Sequence, residues 1–118
     1  MAASRKDAVD WFDMAEVPYR ASRMLKTLGN PKAYALVVHL AERGSLHVEE
    51  MVRILNRSKP AVSKILRSLR DLEIVRYQHQ GNLVVYTLKA PKKLAHILQN
   101  CEEYISEAAN MAGKPGAR

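Results

Sequence analysis

Only two residues, Asn56 and Arg57, separate two helical patterns in the middle of this chain. Upstream, Val48, Met51, Val52 and Leu55 recur at the spacing of one helix face, and downstream Val62, Leu66, Leu69 and Leu72 do the same. The link is too short for more than a turn, which ties the placement of the second helix to the first. That second helix runs from Ser58 to Leu72, with Ser58 as its N-cap and Pro60 in its first turn, where a missing N–H costs little. Opposite its apolar face stand Lys59, Ser63, Lys64, Arg67 and Arg70, and no acidic residue occurs between Met51 and Arg70. A short helix with a packed back and a basic, hydroxyl-bearing front suits the major groove of DNA, which admits one helix. Charge alone describes a solvated surface helix equally well, so the surrounding chain has to decide.

The charge is unevenly spread. The 118 residues carry a formal charge of +7 with a pI near 9.8, a balance that favours a polyanionic partner. Acids and bases balance from Met1 to Met51, whereas Val52 to Lys93 holds ten bases against Asp71 and Glu73 alone. From Leu94 onward acids slightly exceed bases. The excess therefore coincides with the basic helix. One cysteine, Cys101, excludes an intrachain disulfide and fits a reducing cytoplasm. No apolar run approaches the ~20 residues needed to span a bilayer, and Asp7, Asp10 and Asp13 interrupt any signal-peptide core, so a cytoplasmic location with no membrane partner is expected.

The remaining elements follow from caps and periodicity. Ser4 and Asp7 resemble a helix start, with Ala8, Trp11, Phe12 and Ala15 forming a stripe that Pro18 punctuates. A short helix is expected from Tyr19 to Leu28, stopped by Gly29. Asn30-Pro31 reads as N-cap and first helical residue; Ala33, Leu36, Val37, Leu40 and Ala41 then face a core, and Gly44 ends the helix. A further short helix spans about His47 to Leu55. After Leu72 the pattern changes to β-branched and aromatic runs, Ile74–Gln80 and Leu83–Leu88, joined by Gly81-Asn82 as a tight hairpin turn. Pro91 opens a last helix with Leu94, Ile97, Leu98, Cys101, Ile105, Ala108 and Met111 along one side, apolar enough to need a partner surface. The fold class is mainly α with a two-stranded β-hairpin wing, a winged helix-turn-helix dimerised through terminal helices. The expected division is 1–18 as a helical dimerisation arm, 19–90 as the winged helix-turn-helix domain, 91–112 as a dimerisation helix and 113–118 as a loose tail.

At this point the sequence resembles the ArsR/SmtB family of winged-helix repressors, over about Leu25 to Leu98. The likeness rests on Leu25-Lys26-Thr27-Leu28-Gly29-Asn30-Pro31, on Leu40-Ala41-Glu42-Arg43-Gly44, and on Ser58, Val62-Ser63-Lys64, Leu66 and Leu69-Arg70. It continues through Ile74-Val75 and Val85-Tyr86-Thr87-Leu88. The resemblance implies a homodimer that represses from a palindromic operator, released in many family members by a bound metal ion. The sensing positions depart from the family. Two cysteines are replaced by His47 and Glu49, and the early ligands of a second site are replaced by Ala90 and Lys92. Neither familiar metal site is expected, no cofactor is expected, and the effector is unknown. Pro60 and Ile65 also break the family's usual reading pattern, so the operator sequence does not carry over.

For double-stranded DNA, Lys59, Ser63, Lys64 and Arg67 are assigned to the groove, since Lys and Arg donate to guanine O6 and N7. Arg53, Arg57, Arg70 and Arg76 are assigned to backbone or flanking contacts, which position without reading sequence. The wing tip, His79 to Asn82, is as well explained by a simple polar turn as by a contact. Trp11, Phe12, Leu94, Ile97, Leu98, Cys101 and Ile105 are assigned to a dimer interface, with Cys101 read as a buried, inert thiol. His47 with Glu49 or Glu50, and His96 with Asn100 or Glu103, fall short of the three or four ligands of a tight metal site. No phosphate loop, HExxH or serine elbow is present, so no enzyme is expected. Two alternatives remain: a non-specific chromosomal or RNA-binding winged-helix protein, and a protein-interaction module on the same fold.

Overall fold

The computed structural model describes residues 16–111, in which five helices pack around a small three-stranded sheet. The expected first helix with Trp11 and Phe12, and the tail 113–118, lie outside the described residues. In chain order the elements are α1 (Glu16–Leu28), α2 (Pro31–Arg43), β1 (Leu46–His47), α3 (Val48–Leu55), α4 (Lys59–Asp71), β2 (Val75–Gln80), β3 (Leu83–Leu88) and α5 (Pro91–Met111). Helix α1 starts three residues earlier than expected. Pro18 sits inside its first turn, where no intrahelical bond is lost.

The caps explain why the breaks fall where they do. Asn30 Oδ1 accepts from the backbone N–H groups of Lys32 and Ala33, at 2.9 and 3.1 Å. Gly44 closes α2 with φ 89°, its N–H donating to Leu40 O at 2.8 Å. Helices α3 and α4 both end in a left-handed residue that is not glycine, Asn56 (φ 53°) and Glu73 (φ 59°). In each, the next N–H reaches back across the last turn, Arg57 to Val52 O at 3.3 Å and Ile74 to Leu69 O at 2.9 Å, which is the Schellman arrangement. Asparagine tolerates this conformation. Glu73 is held in it by an ion pair with Lys89 and a looser one with Arg20, at 3.9 Å. These contacts also hold its carboxyl below the usual range, the Lys89 hydrogen bond first, then the charges of Lys89 and Arg20.

One core joins every element. Leu36 and Val37 of α2, Met51 of α3, Val62 and Leu69 of α4 are fully enclosed, and Leu46, Ile74, Val75, Tyr86, Leu88, Leu94 and Leu98 complete it. Leu72, expected on the apolar face of α4, is only half-buried because it already lies in the cap. The hairpin has the expected register, Gln80 opposite Leu83, with Gly81 at φ 64° in the first turn position. A third strand was not expected. Leu46 and His47 pair with Tyr86 and Val85, so β3 is central in the order β1-β3-β2.

Helix α5 divides in two. Leu94 and Leu98 are buried, whereas every residue from Cys101 to Asn110 is exposed. The reading of Cys101 as a buried thiol is therefore corrected for the single chain, in which it is exposed. Its stripe is apolar, but the helix has run past the core by that point. No described helix is long and apolar enough to cross a membrane.

Candidate nucleic-acid interface

Helix α4 owes its two faces to its spacing. Val62, Leu66 and Leu69 are buried, and this turns Lys59, Ser63 and Arg67, on three successive turns, outward with Lys64. Ser58 fixes where the helix begins, its Oγ accepting from the Ala61 N–H at 3.3 Å. The turn before it is fixed from outside. Lys32 of α2 donates from Nζ to Leu55 O at 3.2 Å, filling one of the carbonyls left open at the end of α3. The start of α3 is fixed by His47, whose Nδ1 accepts from the Glu50 N–H at 3.4 Å while Glu50 Oε1 accepts from the His47 N–H at 3.0 Å.

The basic residues assigned from sequence divide into groups. Lys59, Ser63, Lys64 and Arg67 share the exposed front of α4. Lys59 is not bare: its Nζ lies 3.5 Å from Glu49 Oε2 on α3. The Glu49 carboxyl is held below its usual range, chiefly by its own backbone N–H at the helix start and then by Lys59, against a desolvation that opposes it. Arg53 and Arg57 are exposed on α3 and in the turn. Arg70 belongs with the hairpin: its guanidinium stacks 5.1 Å from the Tyr77 ring centroid. Tyr77 in turn lies 5.6 Å from Tyr86 across the strands. Arg70, Glu73, Arg76, Tyr77 and Lys89 border one cleft of about 400 Å³ beside the end of α4.

Two residues outside the sequence assignment stand beside this front. Arg23 and Lys26 of α1 border a cleft of about 430 Å³ whose opposite wall is Lys64 and Ser68. The signal available in the sequence was the run Arg20, Arg23, Lys26, a base every three residues and hence one helical side.

The family's two metal positions do not fit an ion here. His47 spends Nδ1 on the helix cap, Glu49 holds Lys59, and Ala90 and Lys92 supply no ligand. Among the described residues no three His, Cys, Asp or Glu side chains are gathered as a metal site.

Residues 30–77, from the cap of α2 to the middle of β2, match the bacterial regulatory protein arsR family. Rv0081 of M. tuberculosis is similar at 22% identity and a TM-score of 0.72, over 78% of this chain and 91% of that one. The homodimeric winged helix-turn-helix DNA-binding domain of Mb0332 from Mycobacterium bovis, a possible ArsR-family transcriptional regulator, is similar at 19% identity. Its TM-score is 0.70, over 79% of this chain and 88% of that one. HlyU from Vibrio cholerae is similar at 26% identity and 0.66, over 78% and 99%. No curated protein sequence matches the chain. The fold is that of a winged helix-turn-helix domain, and its segment 30–77 matches the arsR family of bacterial regulatory proteins, without that family's familiar metal-site residues.

Proposed function

We propose that the protein is a sequence-specific, homodimeric repressor that places α4 in the major groove of a palindromic operator. The observation that carries the reading is the division of α4 itself, with Val62, Leu66 and Leu69 enclosed and Lys59, Ser63, Lys64 and Arg67 turned to solvent. Lys64 and Arg67 read base edges, Ser63 a base edge or phosphate, and Lys59 exchanges Glu49 for DNA. Arg53, Arg57 and Arg76 contact backbone phosphates, and Arg70 contributes while stacked on Tyr77.

Dimerisation is supported by the far half of α5. Tyr104 and Ile105 are 70% and 65% exposed on a helix that buries Leu94 and Leu98, and the groove beside it is lined by Val38, Ala41, Ala95 and Leu98 with Glu42, Gln99 and Glu102 at its polar side. The 91–112 helix together with the 1–18 arm, including Trp11 and Phe12, forms the two-fold contact, with Ile97, Cys101 and Ile105 in it. A two-fold dimer presents two copies of α4, which is why the operator is palindromic. The protein works in the cytoplasm, and its releasing signal is not a metal held at His47 and Glu49.

The test is a titration against promoter fragments from its own genome at several salt concentrations. The proposal expects one fragment bound far more tightly than the rest, with steep salt dependence. Salt-sensitive binding with no preference among fragments makes it a non-specific chromosomal or RNA-binding protein instead. Function retained after removing the α4 charges makes it a protein-interaction module.

A further inference from the structure

The cleft bordered by α1 and α4 differs from the other basic cleft in its chemistry. Arg23, Lys26 and Thr27 project from one side of α1 at positions i, i+3 and i+4, and Lys64 and Ser68 face them at i and i+4 on α4. Asn30 and Ala33 of α2 and Ile65 complete the walls. Among the described residues no carboxylate lines it. Among the described residues none of its three cations is in an ion pair, whereas Lys59, Arg20 and Lys89 each have a carboxylate partner. The cleft beside Arg70 and Arg76 contains Glu73, which neutralises Lys89 there. The charge between α1 and α4 comes from side chains, because Asn30 already satisfies the N–H groups of Lys32 and Ala33.

We infer that this cleft is a phosphate site, filled in the DNA complex by a backbone phosphate beside the groove that α4 enters. The identity of the phosphate donor rests on the DNA-binding reading; the chemistry of the cleft does not. A guanidinium offers a planar pair of N–H donors that matches two phosphate oxygens, and two ammonium groups add point charges that need no fixed geometry. Thr27 and Ser68 add hydroxyl donors at the walls. Three like charges with no carboxylate partner among the described residues repel one another, so an anion bound between them stabilises the fold as well as being held by it. Lys64 belongs to both surfaces, the cleft and the reading front. A phosphate seated there therefore fixes how α4 sits in the groove.

Inorganic pyrophosphate is the probe for the cleft, compared with sodium chloride at equal ionic strength. The unfolding temperature should rise with pyrophosphate, and amide resonances should move at residues 23–33 and 64–68 only. Both responses should vanish in Arg23→Ala/Lys26→Ala and persist in Arg70→Ala. On DNA, the same double variant should weaken operator and unrelated sequence alike, lower the slope of log affinity against log salt by about 1, and leave their ratio unchanged. A pyrophosphate response with an unaltered DNA slope assigns the cleft to a free phosphate ligand and overturns the DNA half of the inference. No local response and no change of slope overturns the whole of it. A protein that binds no DNA removes the proposed function, and the pyrophosphate arm still decides the cleft.

Discussion

Helices α4 and α5 carry the same kind of apolar stripe and meet opposite fates. In α4 the stripe is closed within its own chain, with Val62 and Leu69 at 0% exposure. In α5 closure stops at Leu98, and the twelve consecutive residues beyond it, Gln99 to Asn110, stand in solvent. An amphipathic helix with its back covered presents its front to something else, whereas one with its back uncovered lacks a partner. The first situation suits DNA and the second suits another copy of the chain.

The covered back of α4 is most sensitive at Leu69. Leu69→Ala should cost about 3 kcal/mol by leaving a cavity under α4, read as a lower denaturant midpoint with the helical signal lost at the transition. On α5 the mirror-image change is Ile105→Glu, which should leave helical content unaltered and weaken self-association by about 2 kcal/mol, because the charge would have to be buried in the interface. Sedimentation over a concentration series reads that shift. A variant that stays dimeric at all concentrations removes the far half of α5 from the interface.

Smaller effects sharpen the contrast between the two helices. Tyr34 of α2 donates its hydroxyl to Glu102 Oε2 of α5 at 2.6 Å, at the point where α5 leaves the core. That hydrogen bond first, then burial and the charge of Glu102, push the phenol up to about 12 from its ordinary 10.0. A raised folded-state pKa gives a contribution that is whole below pH 10.0 and fades as pH rises through about 12. Tyr34→Phe should cost at most about 1 kcal/mol at neutral pH and flatten the alkaline loss of stability.

Smallest is Glu73→Gly, which relieves a left-handed residue at the end of α4 but removes the contacts to Lys89 and Arg20. The two effects oppose each other, so the midpoint at neutral pH should barely move. The Glu73 carboxyl is held low, so its contribution is whole above the ordinary 4.5 and lost as pH falls through its lowered pKa. The glycine variant should lack that acid-side loss.

Local signals made most of the fold legible. Asn30-Pro31, Gly44, Ser58-Lys59-Pro60 and Gly81-Asn82 each carry their own cap or turn chemistry, and the helices and hairpin follow from them. What was not legible depended on distant pairing. A strand of two residues has no periodicity, and Leu46–His47 exists only because Tyr86 and Val85 are there to meet it. Glu73 takes a position where a glycine would have announced the end of α4, and its partners are 16 residues ahead and on α1. Cys101 lies on a real apolar stripe, but periodicity records which residues share a face, not whether anything covers it.

The candidate site was legible in its front and not in its neighbours. Lys59, Ser63, Lys64 and Arg67 follow from helical spacing alone. That Glu49 engages Lys59, that Arg70 stacks on Tyr77, and that Arg23 and Lys26 stand across from Lys64 all depend on how helices are brought together.

Whether α4 reads DNA is decided by the affinity for an operator fragment of three proteins: the parent, Lys64→Ala/Arg67→Ala, and Arg43→Ala. Arg43 is exposed at the far end of α2, ten residues and about 15 Å along the helix from the end that borders the Lys64 cleft. The double change on α4 should weaken binding by about 2 kcal/mol or more, roughly 30-fold, with the unfolding midpoint unchanged, and Arg43→Ala should have little effect. Equal losses from both variants would mean that the protein holds DNA through its overall charge, and that α4 does not read it.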